Sequence, residues 1–211
     1  MIDEGYTKFT VIWTRRSPVD DPAIAELEHW RRPLFDAGLI GHYPELDIGY
    51  GNLSRRIAAG GLFIISGTQT GHLPRTGSAH YSRIIEANIV ENSVTCEGAV
   101  QASSETLTHA AIYELDLSIN AVVHVHSTIL WQGLKSKAPT TRAEISYGTP
   151  EMAGEFKRLY RETSFPDTGV AVMAGHEAGL VSIGGSLEEA ARRILVLHSE
   201  YLEERSREVI K

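Results

Sequence analysis

Short runs of β-branched and aromatic residues alternate along this chain with segments that open on helix-start signals, and that interleaving limits the fold more than any other feature. Residues 6–14 (YTKFTVIWT) read as a first strand. Asp21-Pro22 then opens a helix running to about Leu34, with Asp as N-cap, Pro at the first helical position, and Pro33 near its end. Residues 49–54 (GYGNLS) read as a loop leading into Arg55 and Arg56. Residues 62–65 form a short apolar strand that runs into Ser66-Gly67-Thr68. Residues 69–79 (QTGHLPRTGSA) are a Gly-rich connection and the best candidate for a mobile loop. Strands follow at 83–90 and 93–96, a helix at 104–117 and a strand at 121–126. Thr149-Pro150-Glu151 is another cap-plus-Pro start, and 170–173 and 179–183 are two strands joined by a turn. Ser186-Leu187-Glu188-Glu189 is a capping-box pattern that starts a long last helix, with Leu187, Ala190, Ile194, Leu197 and Tyr201 on its buried side. Strands outnumber helices and the two are interspersed. The expected architecture is therefore α/β, one sheet covered by helices, with antiparallel pairing wherever strands are joined by short turns.

The 211 residues fit a single domain, 1–211, with 42% hydrophobic and 22% charged residues, ordinary values for a globular protein. A formal net charge of -7 leaves no electrostatic footprint for nucleic acid and no basic patch for anionic lipid. It also repels an anionic substrate at long range, so any phosphate must be caught by a local pocket of donors. The single cysteine, Cys96, excludes an intrachain disulfide and fits a reducing compartment. Met1-Ile2-Asp3-Glu4-Gly5 has neither a basic nor an apolar region of the signal-peptide kind, and no apolar run reaches membrane-spanning length. The expectation is a soluble, cytoplasmic protein.

The chemistry concentrates in 121–127, AVVHVHS. Side chains on a strand alternate faces, so His124 and His126 point to the same side and can meet one metal ion, for which neutral imidazole is a favoured ligand. A pair of hydrogen-bonded core histidines is the competing reading of the same spacing. His176 lies in Met173-Ala174-Gly175-His176-Glu177-Ala178-Gly179, a small-residue turn between two apolar segments, where an exposed turn histidine would be equally ordinary. Three protein ligands with one position open would make a catalytic rather than a structural metal site. The remaining histidines (29, 42, 72, 80, 109 and 198) read as surface or packing residues, although His72 and His80 flank the Gly-rich connection and could approach a substrate. Ala102-Ser103-Ser104-Glu105 precedes a helix, where an anion is favoured but where an ordinary acidic first turn looks the same. Gly51-Asn52-Leu53-Ser54 and Ser66-Gly67-Thr68 each combine a Gly with neutral hydrogen-bonding side chains, as phosphate loops and plain turns both do. Neither is a Walker or dinucleotide motif.

Taken in order, GNLS, ISG, SSE and HVH, then a His in a small-residue turn and a long final helix, this set resembles the class II aldolase/adducin family over roughly residues 21–204. Enzyme members of that family include L-fuculose-1-phosphate aldolase and L-ribulose-5-phosphate 4-epimerase. The resemblance implies a largely antiparallel sheet between helix layers. It implies zinc (or another divalent metal such as cobalt or manganese) on His124, His126 and His176, and Glu105 as catalytic acid/base. It places substrate phosphate on Asn52, Ser66, Gly67, Ser103 and Ser104, and implies a homotetramer with sites at subunit interfaces. The reaction it implies is aldol cleavage of a small ketose phosphate. A dehydratase of the methylthioribulose-1-phosphate kind and a sugar-phosphate epimerase are alternatives, and from another class a non-catalytic module like the adducin head. The chain departs from the family pattern with Glu177 where Gly usually follows the third His, with Ala102 where Pro precedes SSE, and with a longer stretch between Ser66 and Ser103. Glu177 could therefore approach the metal itself. Tyr147 and Tyr201 are both possible counterparts of the tyrosine that aldolases take from a neighbouring subunit.

Overall fold

A computed structural model describes residues 6–57 and 62–209. The chain runs β1 (Thr10–Arg15), α1 (Ala23–Asp36), β2 (Gly41–Tyr43), β3 (Ile48–Tyr50), β4 (Asn52–Arg56), β5 (Phe63–Ser66), β6 (Tyr81–Asn88) and β7 (Ser93–Gly98). It continues α2 (Thr106–Leu115), β8 (Ala121–His126), α3 (Thr128–Leu134), α4 (Pro150–Glu162), α5 (Phe165–Thr168), β9 (Val170–Val172), β10 (Gly179–Gly184) and α6 (Leu187–Val209). Eight strands form one sheet in the order β1-β7-β6-β5-β4-β8-β10-β9, and β2 pairs β3 in a separate small sheet. Every neighbouring pair in the large sheet is antiparallel except β1 with β7, so the sheet is mixed but largely antiparallel, as expected.

The helix starts follow from their caps. Asp21 Oδ1 accepts from the Ala23 N–H at 3.0 Å, so the aspartate serves the first turn although α1 begins one residue after Pro22. Pro33 falls in the last turn of α1, where its missing N–H costs one bond, and the helix continues to Asp36. Thr149 caps Met152 ahead of Pro150. Ser186 Oγ accepts from the Glu189 N–H at 3.1 Å, while the Glu189 carboxylate reaches back to the N–H of Gly185. The short α3, capped by Ser127, lies outside the segments read from the sequence, because its seven residues are too few to show a helical period.

Residues 49–54 are not a loop. They form the end of β3 and the start of β4, broken only at Gly51, whose φ of +74° favours glycine. Two of the polar side chains that make β4 look like a loop, Ser54 and Arg56, are buried and bonded instead. Ser54 Oγ lies 2.7 Å from His109 Nδ1 and 2.8 Å from Tyr113 Oη. Arg56 donates to the carbonyls of Tyr113, Asp116 and Ile119, serving the carboxyl end of α2.

The sheet divides two apolar layers. Ala121, Val123 and Val125 of β8 join Leu53, Ile64 and Leu180 against Leu27 and Leu34 of α1, Leu130 of α3 and Leu187, Ala190 and Ile194 of α6. Val122 of β8 joins Phe63, Ile65, Val181 and Ile183 against Leu107 and Ile112 of α2, Met152 and Phe156 of α4 and Phe165 of α5. Helices thus cover both faces, and His124 and His126 share the face of Val122. The Gly-rich connection has no long regular element but is tied to its surroundings. The Thr70 carbonyl accepts from buried Arg31 at 2.9 Å, Gln69 Oε1 accepts from the Gly49 N–H, and Thr76 bonds Glu28. No helix among the described residues is long and apolar enough to cross a membrane.

Candidate metal centre and cleft

The register of three strands builds the centre. His124 lies opposite Asn52 on β4 and opposite Val181 on β10, while His126 pairs with Gly179. The β9–β10 turn then returns His176 over the same edge. Ala178 takes a positive φ of 62° in that turn, and Gly179 leaves room beside the imidazole. One ligand atom from each of His124, His126 and His176 lies within 4.8 Å of the others, and all three side chains are buried. This is the only such group of His, Cys, Asp and Glu among the described residues.

The tautomer of His124 favours a cation. His124 Nδ1 lies 3.1 Å from the Leu180 carbonyl, which can only accept, so Nδ1 carries the proton and Nε2 keeps its lone pair. That Nε2 sits 3.2 Å from His126 Nε2, so two ring nitrogens converge on one point. Burial, reinforced by His176 and His109, holds His124 well below the usual imidazole range. Burial, with His176 and His124, does the same for His126. Both rings are neutral at neutral pH, the form that binds metals. This donor set fits a divalent transition ion of the zinc kind.

Glu105 sits at the N-cap position of α2 and is buried. Its Oε1 lies 3.4 Å from His176 Nδ1 and 4.0 Å from His124 Nε2, so the carboxylate borders the histidine group directly. Backbone pairing fixes it there. The Ser103 N–H donates to the Ser66 carbonyl, Thr68 N–H donates to the Gln101 carbonyl, and Gly67 bridges Ala102. A Cβ at Gly67 would run into the Val100 side chain, so only glycine permits this approach.

One cleft is lined together by Asn52, Gly67, Ser103, Ser104, Glu105 and His124. Asn52 Oδ1 is buried there with no hydrogen-bond partner, a polar atom left for a ligand or water. Ser66 is placed differently. Its hydroxyl accepts from the Leu53 N–H and donates to the Leu53 carbonyl, and the side chain is not among those lining the cleft. Its carbonyl accepts from the Ser103 N–H and so tethers the Ser103-Ser104-Glu105 segment. Glu177 is exposed and stands outside the three-histidine group. Tyr147 stacks on His176 with centroids 4.4 Å apart, whereas Tyr201 packs on α3 and donates to the Gly133 carbonyl.

Tyr50, Thr68, Gln69 and Thr70 also line the cleft, and of these only Thr68 is in a segment that the sequence marks as a candidate phosphate loop. Thr68 belongs to the Ser66-Gly67-Thr68 segment and lies within reach of the motif. The others depend on the Gly-rich connection folding back on β3, for which the sequence carries no local signal. No Lys or Arg is among the described residues lining the cleft, so an anion bound here would rely on neutral donors.

A buried three-histidine group bordered by a glutamate, on a largely antiparallel sheet between helix layers, defines the class: an α/β protein whose donor set fits a metal beside an acid. Residues 39–201 match the family described as Class II Aldolase and Adducin N-terminal domain, and the chain belongs to that family. Among solved structures, L-fuculose-1-phosphate aldolase from Thermus thermophilus superposes with a TM-score of 0.62 at 20% identity, covering 88% of this chain and 94% of that one. A sugar-phosphate aldolase from Thermotoga maritima gives 0.63 at 14% identity, covering 84% and 91%. The N-terminal class II aldolase domain of a protein from Thermoplasma acidophilum gives 0.58 at 15%, covering 88% and 94%. At these identities the likeness is one of fold.

Proposed function

We propose that this chain is a metal-dependent lyase of the aldolase type that cleaves or forms a C–C bond beside the carbonyl of a small ketose phosphate, with zinc on His124, His126 and His176. The observation that supports this best is the convergence of three buried imidazoles beside buried Glu105, next to a cleft that His124 and Glu105 line together with neutral donors. A bound divalent cation supplies a Lewis acid that polarises the carbonyl and offsets negative charge developing next to it. The chain's residues do the rest. Asn52, Gly67, Ser103 and Ser104 hold the phosphate with amide, hydroxyl and backbone donors, and Ser66 supports them through its carbonyl. Anchoring the phosphate lets remote binding energy position the reacting carbons. In cleavage Glu105 takes the proton from the substrate hydroxyl whose carbon leaves as the aldehyde. The electron pair of the broken C–C bond stays on the carbon beside the carbonyl, and the proton is returned to that carbon; synthesis runs the same transfers in reverse. A homotetramer is the expected assembly.

A scaffold like the adducin head has no physical need for this arrangement of neutral imidazoles and acid. The test is incubation of metal-loaded protein with phosphorylated ketoses, followed by product analysis. Two carbon fragments support the aldolase, a dehydrated ketone points to a dehydratase, and a stereoisomer points to an epimerase. His124→Ala is expected to lose both bound metal and turnover. A protein that binds no zinc, cobalt or manganese and stays inactive when they are added would favour the scaffold.

A further inference from the structure

The β2–β3 hairpin does more than connect α1 to β4. It lays two tyrosine rings against one imidazole of the candidate centre. Tyr50 stacks on His126 with centroids 5.2 Å apart and planes at 26°, Tyr43 meets the same ring at 6.0 Å and 62°, and the two tyrosines touch at 4.5 Å. Tyr43 Oη lies 3.0 Å from His126 Nδ1. That nitrogen is on the far side of the ring from Nε2, which converges on His124.

The two strand histidines are oriented by different kinds of partner. His124 Nδ1 faces a main-chain carbonyl, which accepts only and so forces one tautomer. His126 Nδ1 faces a phenol, which can donate or accept, so its tautomer is left to the balance of its two ends. With Nδ1–H donating to Tyr43, Nε2 presents a lone pair to the point shared with His124. With Tyr43 donating to Nδ1, Nε2 carries the hydrogen and faces the wrong way for a cation.

We infer that Tyr43 is a positioning residue for metal binding: its hydroxyl accepts from His126 Nδ1, fixes the ring and turns the Nε2 lone pair to the cation. Outer partners of ligating imidazoles of this kind typically account for about 10–100-fold in metal affinity. The inference rests on the proposed metal site, and its test separates the two. Zinc affinity is measured by competition with a chromophoric chelator for the wild-type protein, Tyr43→Phe, His126→Ala and the double variant. Tyr43→Phe keeps the ring and its packing and removes only the hydroxyl. Wild-type protein is expected to bind one zinc per chain, and Tyr43→Phe about tenfold or more weakly. In the His126→Ala background the Tyr43→Phe change is expected to have no further effect, because the contact it would remove is gone. Equal affinity of Tyr43→Phe and wild type overturns the role of Tyr43 and leaves the metal site standing. So does an equal loss in the His126→Ala background, which would mark a general effect on the hairpin. Wild-type protein that takes up no zinc overturns the site itself.

Discussion

The two faces of β8 are built from one run of six buried residues and behave as opposites. On one face Ala121, Val123 and Val125 enter an aliphatic layer under α1, α3 and α6. On the other, Val122 gives way to His124 and His126, flanked by Asn52 and Ser54 of β4. Hydrophobic transfer explains the first face completely. The second face carries buried polar groups that weaken a core unless each finds a partner, and there the polar groups split into two sets. Ser54 bonds both His109 and Tyr113. Asn52, Glu105 and His124 border a cleft, and His126 and His176 group with His124. Bonded clusters stabilise a fold, whereas polar groups that line an opening stand where a ligand can reach them.

Glu105→Gln presses hardest on that distinction. It is expected to keep metal and stability while lowering turnover about 10²–10⁴-fold, the usual weight of a general acid/base. An active Glu105→Gln protein removes Glu105 from the mechanism. On the aliphatic face, Leu53→Ala is expected to cost roughly 2–5 kcal/mol in denaturant unfolding, with zinc stoichiometry unchanged. If the metal is lost in folded Leu53→Ala protein, the two faces are not independent.

His109 tests the Ser54 cluster through pH. Burial lowers its folded pKa to about 3, below the unfolded value of about 6.5, so only the unfolded chain takes its proton between those values. The stability it contributes is complete above about pH 6.5 and is lost as pH falls towards the folded pKa, at up to about 1.4 kcal/mol per pH unit. In metal-free His109→Gln, urea midpoints are expected to fall less steeply over this window. An unchanged slope would mean that His109 is protonated in the folded state. The smallest effect is expected at exposed Glu177, adjacent in sequence to His176: Glu177→Gln should leave zinc affinity within about twofold, because it stays solvated. A larger loss would bring that carboxylate into the site after all.

Much of this is legible without coordinates. β8, the Thr149-Pro150 start of α4 and the Ser186 cap of α6 fall where periodicity and capping residues place them, because each signal acts over only a few residues. The same-face placement of His124 and His126 follows from strand geometry alone. The glycine and polar content of 49–54 suggests a loop, since nothing local announces that Ser54 and Arg56 will find partners on α2 and beyond. Tyr43 and Tyr50 carry no sequence signal either, because a hairpin must first fold over His126.

The sequence by itself therefore determined the strand and helix segments, the pairing of two histidines on one face and the neutral character of the donors. The tertiary structure decided which distant residues meet. It set Asn52 opposite His124, returned His176 through the β9–β10 turn, moved Ser66 onto the Leu53 backbone and kept Glu177 in solvent. The physical reason is range: caps and alternation are written within a turn or a few residues, whereas register and burial are settled only when the whole sheet closes over its two cores.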